Sequence, residues 1–237
     1  MPHPPDLDQL FADLAHPNPY IQTRAFTAMV EHWPDEAIPR LIALLDQPDV
    51  SLRRASVRGL GAFGARSMQP IAECFSTSSD DTVRASCIKA YAQLASNYAG
   101  QAFTEQAMAV LREALDDRSP VVAVAAVMAL GQVGRQAVPL LLQVSRGNNP
   151  AQGVAAVNAL AQIDHPAIEP ALQQLDWRSG RHWSCQHKRI LRSQMIHIDI
   201  SPPFLSPLLF NPTLNLLYLR ELSCNPYYTI HNQSRCH

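Results

Sequence analysis

The sequence predicts an all-α fold, a right-handed α-solenoid of stacked helix pairs. Three observations predict it. The first is the stretch Ser119 to Gly134, SPVVAVAAVMALGQVG, in which every residue from Val121 to Leu130 is apolar. A surface helix keeps one wet face, so a helix this uniform reads as buried between neighbours. The second is that the pattern recurs as DVSLRRASVRGLGAFG from Asp49, DTVRASCIKAYAQLAS from Asp81, PAQGVAAVNALAQI from Pro150 and, more weakly, PYIQTRAFTAMV from Pro19. The third is register. Pairing an apolar residue near each helix start with the residue eight places on gives Ile21/Met29, Leu52/Leu60, Val83/Tyr91 and Val122/Leu130, with Gln152/Leu160 as a degenerate fifth. The second members lie 31, 31, 39 and 30 residues apart. A period of about 30 residues is the mark of stacked helical repeats.

Each element follows from local signals. Residues 1–5 read as disordered. Asp6 to Ala15 reads as a short helix with Leu7, Leu10, Phe11 and Leu14 on one face. HPNP then turns the chain into a longer helix from Pro19 to Glu31. The unit repeats as a short outer helix, a turn and a longer inner helix. Further outer helices are expected at Glu36 to Leu45, Met68 to Ser76, Phe103 to Leu115, Ala137 to Ser145 and Pro166 to Leu175. Pro, Asn, Asp and Gly punctuate every entrance to an inner helix. Ser119 suits an N-cap and Pro120 a first helical turn, while Gly131 and Gly134 offer places to end that helix. The one long interval holds SNYAGQAFTEQ, a local insertion.

Composition narrows the classes of function. The chain of 237 residues is 47% hydrophobic and only 16% charged, as helices packed on two sides require. Its formal net charge of −1 provides no global field for nucleic acid. The polar, Pro-rich start is not a secretory signal, and no unbroken run of about 18 apolar residues offers a membrane span. Cys74 and Cys87 fall inside helical patterns, which fits a reducing cytoplasm better than a disulfide scaffold.

The composition breaks near Asp176. All 31 alanines lie at or before Ala171. Residues 1–177 carry 12 Lys+Arg against 18 Asp+Glu, and residues 178–237 carry 7 against 2. The solenoid is therefore placed at 6–176, and 177–237 is read as an atypical tail, disordered or frameshift-derived. A divergent native extension is the other reading.

The runs IPRLIALLD, DVSLRRASVRGLGAFG, TVRASCIKAYAQLASNY and VVAVAAVMALGQVG resemble the F-type subunit of the heterodimeric E/F-type phycobilin lyases, short HEAT-like repeat proteins. The resemblance covers about residues 6–175 and is most specific over Val83 to Tyr98 and Val121 to Gly131. It implies HEAT-like helix pairs, and it implies a lyase that acts with an E-type partner to attach phycocyanobilin, by a thioether, to a cysteine of the phycocyanin α subunit. No cofactor or metal is implied. A relative active in phycobilisome degradation shares these repeats, so a non-enzymatic adaptor for phycobiliproteins or another protein is the second reading.

A linear tetrapyrrole offers two propionates, a conjugated apolar body and pyrrole N–H groups. A cradle for it needs cations and apolar or aromatic walls. Arg53, Arg54, Arg58 and Arg84 are the propionate candidates. Arg54 and Arg58 are four apart and share a helical face. Arg53 and Arg84 hold equivalent positions in adjacent repeats, where pairing with an Asp at a neighbouring helix entrance is the competing role. Cys87 is a transient bilin thiol or a small buried hydrophobe. Tyr91 and Tyr98 stack on chromophore or fill core. Asn158 faces a partner or bonds an adjacent turn. Two further patterns fail. His182, Cys185 and His187, with Cys236 and His237, lack ordered zinc spacing. Gly59, Gly61 and Gly64 follow no strand, which a dinucleotide loop requires.

Overall fold

The computed structural model describes residues 4–173. Among them are α1 (Leu7–Leu14), α2 (Pro19–His32), α3 (Pro34–Ala43), α4 (Val50–Ala62), α5 (Ala65–Thr77), α6 (Asp81–Asn97), α7 (Glu105–Leu115), α8 (Pro120–Val133), α9 (Val138–Ser145), α10 (Pro150–Leu160) and α11 (Ile168–Gln173). Short 3-10 turns at Leu44–Asp46 and Gly134–Ala137 extend α3 and lead into α9. Shorter and longer helices alternate, except that α5 equals α4 at 13 residues. The even-numbered helices form one layer, with α4 against α6, α6 against α8 and α8 against α10. The tail, its composition break and the His182/Cys185/His187 spacing lie outside the described residues.

Caps explain the boundaries. Carboxylates of Asp6, Asp49 and Asp80 and the amides of Asn18 and Asn149 accept first-turn N–H groups of α1, α4, α6, α2 and α10. Each satisfies donors that the helix itself leaves unpaired. Ser119 departs from its expected role, for its side chain makes no capping bond to α8. Instead the Ser119 N–H donates to the Asp117 carboxylate at 2.8 Å. The third short helix starts at Ala65 rather than Met68, because Gly64 takes φ +58° and reverses the chain in one residue. Gly134, at φ +77°, ends α8 in the same way.

The register holds in the core. Met29, Leu60, Tyr91, Leu130 and Leu160, the second members of the five pairs, are all fully buried. Gln152 occupies an apolar position because its amide donates to the Leu115 carbonyl at 2.6 Å, closing the α7 C-terminus. Close approach is built from small residues. A β-carbon on Gly61 would stand 2.5 Å from Gln93 Cγ, and one on Gly131 2.9 Å from Ala159 Cβ. Gly59 and Gly61 are thus packing glycines of α4.

The inserted segment is tied down at Phe103. The Tyr91 ring meets the buried Phe103 edge-on at 5.8 Å. The Gln136 amide accepts from the Phe103 N–H and donates to the Phe103 carbonyl, both at 2.9 Å. Pro120–Ser145 is long and apolar enough on average to cross a membrane, with a mean hydropathy of 1.5. Here the chain breaks at Gly134 and packs α8 among repeats.

Helix α8 also departs from expectation in one respect. It is apolar nearly all round, yet one stripe is bare: Val121 is 54% exposed and Met128 37% exposed, with half-buried Val124 between them.

Candidate functional site

Side chains of α4 and α6 line a groove of about 350 Å³. Arg53, Arg54 and Arg58 line it from α4, between Val50 and Val57. Ser86, Lys89 and Gln93 line it from α6. Four cations therefore converge, and no carboxylate is among the lining residues. Like charges gathered in this way repel, so an anionic ligand relieves a cost already present in the fold.

Two of the cations are anchored. Arg53 donates to the Gln47 carbonyl at 2.6 Å. Arg58 donates to the Gln22 side-chain oxygen, and buried Gln22 in turn donates to the Leu14 and His16 carbonyls at 3.0 and 2.8 Å. Arg54 and Lys89 make no hydrogen bond or ion pair to any described residue. Burial first, then the Arg53 and Arg54 guanidiniums, lower the Lys89 ammonium from its usual range. Asp80 lies near Arg53. Its carboxyl is held below the usual range mainly by the Val83 and Thr82 N–H groups, with a smaller contribution from Arg53. The groove thus offers guanidinium forks held from behind, two unspent cations and apolar walls, which suits a ligand with two carboxylates and a hydrophobic frame.

Three of the residues singled out in the sequence meet here: Arg53, Arg54 and Arg58. Arg84 does not. It forms an ion pair with Asp117 of the next repeat, whose side chain is 2% exposed, and its guanidinium lies 5.5 Å from the Phe75 ring. This is the pairing with a helix-entrance Asp that competed with a ligand role. Cys87 is fully buried. The neighbouring thiol of half-buried Cys74, together with burial, raises the Cys87 thiol, while Cys74 itself is lowered by the same neighbour. A raised, inaccessible thiol is no nucleophile. Tyr91 is core: its hydroxyl donates to the Met68 carbonyl at 2.8 Å. Tyr98 ends α6, donates to the Ala62 carbonyl and lays its ring 3.3 Å from the β-carbon position of Gly64, outside the groove. Half-buried Asn158 sits on α10, also outside it. Lys89 escaped the sequence reading. The signal was there, for Lys89 stands six residues after Val83 as Arg58 stands six after Leu52.

Residues 7–92 and 104–181 match the HEAT-repeat family model. The chain belongs to the HEAT-repeat family. Among curated proteins, this HEAT-repeat chain is similar to the bilin biosynthesis protein CpeZ of Synechococcus sp. (strain WH8020), at 42% identity over 51% of this chain and 68% of that protein. It is also similar to the uncharacterized phycocyanin operon protein Z of Pseudanabaena tenuis (strain PCC 7409), at 38% identity over 58% and 68%. Similar solved structures include the complex of CpcE and CpcF of phycocyanin lyase from Nostoc sp. PCC7120, with a TM-score of 0.43 and 20% identity over 65% of this chain and 96% of that one. A designed armadillo repeat protein in complex with a (KR)4 peptide gives a TM-score of 0.42 and 16% identity over 82% and 100%. Both structural likenesses are too loose to bear on function.

Proposed function

We propose that this HEAT-repeat protein handles bilins as a lyase-type subunit, and that the α4–α6 groove holds the propionates of a linear tetrapyrrole. The observation that carries the reading is the cluster of Arg53, Arg54, Arg58 and Lys89 without a lining carboxylate, in a chain homologous to a bilin biosynthesis protein. Arg54 and Lys89 are free to close on the carboxylates, and Arg58 is held for them by Gln22. Val50 and Val57 take the edges of the rings.

In its finer form, the protein is the F-type partner of an E-type subunit, working in the cytoplasm to attach phycocyanobilin to a cysteine of the phycocyanin α subunit. The acceptor thiol comes from that client, since Cys87 is sealed in the core. The thiol S–H adds across the exocyclic double bond of the bilin. Sulfur bonds the ethylidene carbon, the proton ends on ring carbon, and nothing leaves. The addition asks for no cofactor or metal. The contribution of this chain is to hold the bilin in a reactive pose, which converts an encounter of three bodies into one of two.

The test is co-expression with an E-type subunit, a phycocyanin α subunit and a bilin source, reading covalent zinc-fluorescent chromophore on the α subunit. Labelling is expected to need this chain, and to fall at least about tenfold in the R54A/R58A double variant with its helix content kept. Labelling of equal extent without the chain sinks the enzymatic reading. A chain that binds phycobiliprotein but neither bilin nor the transfer machinery is an adaptor.

A further inference from the structure

We infer that the bare apolar stripe of α8 is the second half of this site, and that it carries the conjugated body of the tetrapyrrole whose propionates lie in the α4–α6 groove. The inference rests on the bilin reading above and extends it across a second repeat.

Position in the repeat places the two halves side by side. Arg58, Lys89 and Met128 hold the same repeat position in α4, α6 and α8, six residues after Leu52, Val83 and Val122. Neighbouring helices in this layer meet near equivalent positions, as the Gly61–Gln93 and Gly131–Ala159 approaches show. Packed helix axes stand roughly 8–10 Å apart. Met128 therefore sits one helix spacing beyond Lys89 along a single row. Val121, Val124 and Met128 are spaced three and four residues apart and share one face of α8. A helix with no polar residue from Val121 to Leu130 has no reason of its own to leave that face in water.

The charge pattern selects the occupant. The row is cationic at Arg54, Arg58 and Lys89 and apolar at Val121, Val124 and Met128. A ligand that fits it carries negative charge at one region and an extended hydrophobic surface at the next. A linear tetrapyrrole has that form, with carboxylates on its inner rings and a flat, alkyl-substituted conjugated frame that extends past them. The groove alone, at about 350 Å³, is at the small end of the usual range for ligand sites. Unbranched Met128 adapts its thioether to a flat ring.

The test uses the full chain and two probes, phycocyanobilin and its dimethyl ester, with affinity read from the visible absorption change. V121T/M128Q alters only exposed side chains and is expected to keep the fold. It is expected to weaken both probes roughly tenfold. R54A/R58A is expected to weaken the free acid strongly and the ester little, because the ester has no charge to lose. If V121T/M128Q binds bilin as the wild type does while R54A/R58A does not, the stripe is no part of the site and the bilin reading stands. If that variant loses phycobiliprotein capture with bilin affinity unchanged, the stripe docks protein and the inference is overturned. If the wild type binds neither probe, the bilin reading fails and takes the inference with it.

Discussion

Helices α4 and α8 are copies of one pattern put to opposite uses. Both fully bury a Leu at the same register position, Leu60 in one and Leu130 in the other. Both use a late glycine, Gly61 or Gly131, to let the next helix in the layer approach closely. Their free faces differ in charge: α4 presents Arg54 and Arg58 beside Val50, α8 presents Val121 and Met128. The repeat constrains the residues that touch neighbours and leaves the rest of each helix open to chemistry. A second contrast sharpens the first. Arg53 and Arg84 hold one repeat position, yet Arg53 lines the groove while Arg84 is spent on Asp117.

That contrast is open to direct test, and the effects rank. Asp117→Ala should be the most damaging change, because it leaves a guanidinium unpaired at 17% side-chain exposure whose Nε already lacks an acceptor. Removing one partner of a buried pair costs roughly 3–5 kcal/mol, so urea unfolding should show a loss of that order, and a loss under ~1 kcal/mol would return Arg84 to the ligand candidates. Gly61→Val comes next. Its side chain meets Gln93 Cβ at 2.8 Å and the Gln93 backbone carbon at 3.1 Å, so α4 and α6 must part. Overpacking of this kind costs about 1–3 kcal/mol, and the groove should lose bilin affinity along with stability. Cys87→Ala should cost about 1 kcal/mol as a small core truncation while covalent labelling stays within about twofold. Loss of labelling with the fold intact would restore Cys87 as a bilin thiol.

The smallest effect concerns pH. The Asp80 carboxyl is held below its usual range by the N–H groups it caps. Such a group contributes its full stability above the unfolded carboxylate value, about pH 3.9, and loses it as the pH falls through the lower folded value. Asp80→Asn keeps a capping oxygen and removes the ionisation. Its unfolding midpoint should fall less steeply on acidification through this window than that of the wild type. An unchanged slope would mean that Asp80 is not part of the acid response.

The fold was legible because its signals are local. Helix starts are written in Asn18, Asp49, Asp80 and Asn149, and the core in a spacing of eight within a period near 30. Three of the four cations of the candidate site were legible as well, Arg54 and Arg58 sharing a face by helical spacing. The rest depended on pairing between repeats. Nothing in the local sequence of Arg84 reveals that Asp117, 33 residues on, will take it. Lys89 shows only by its repeat position, six residues after Val83. Tyr98, open between stacking and core in the sequence, is decided by the Ala62 carbonyl that accepts from it and by the bare Gly64 beneath its ring. Composition also misjudged α8: apolarity all round is necessary for full burial and does not guarantee it.

The paired bonds between Gln136 and the Phe103 backbone have a consequence for spacing. A long insertion between α6 and α8 is where a stack of repeats would otherwise hinge. The amide fastens that insertion to the repeat that follows, in the manner of a rung between two strands. The spacing between the cationic face of α4 and α6 and the apolar face of α8 is then braced by the fold itself. On the proposed bilin reading, a flexible chromophore laid against such a brace would give up its own freedom while the protein gives up little, so its pose would be decided by the ruler rather than by the guest.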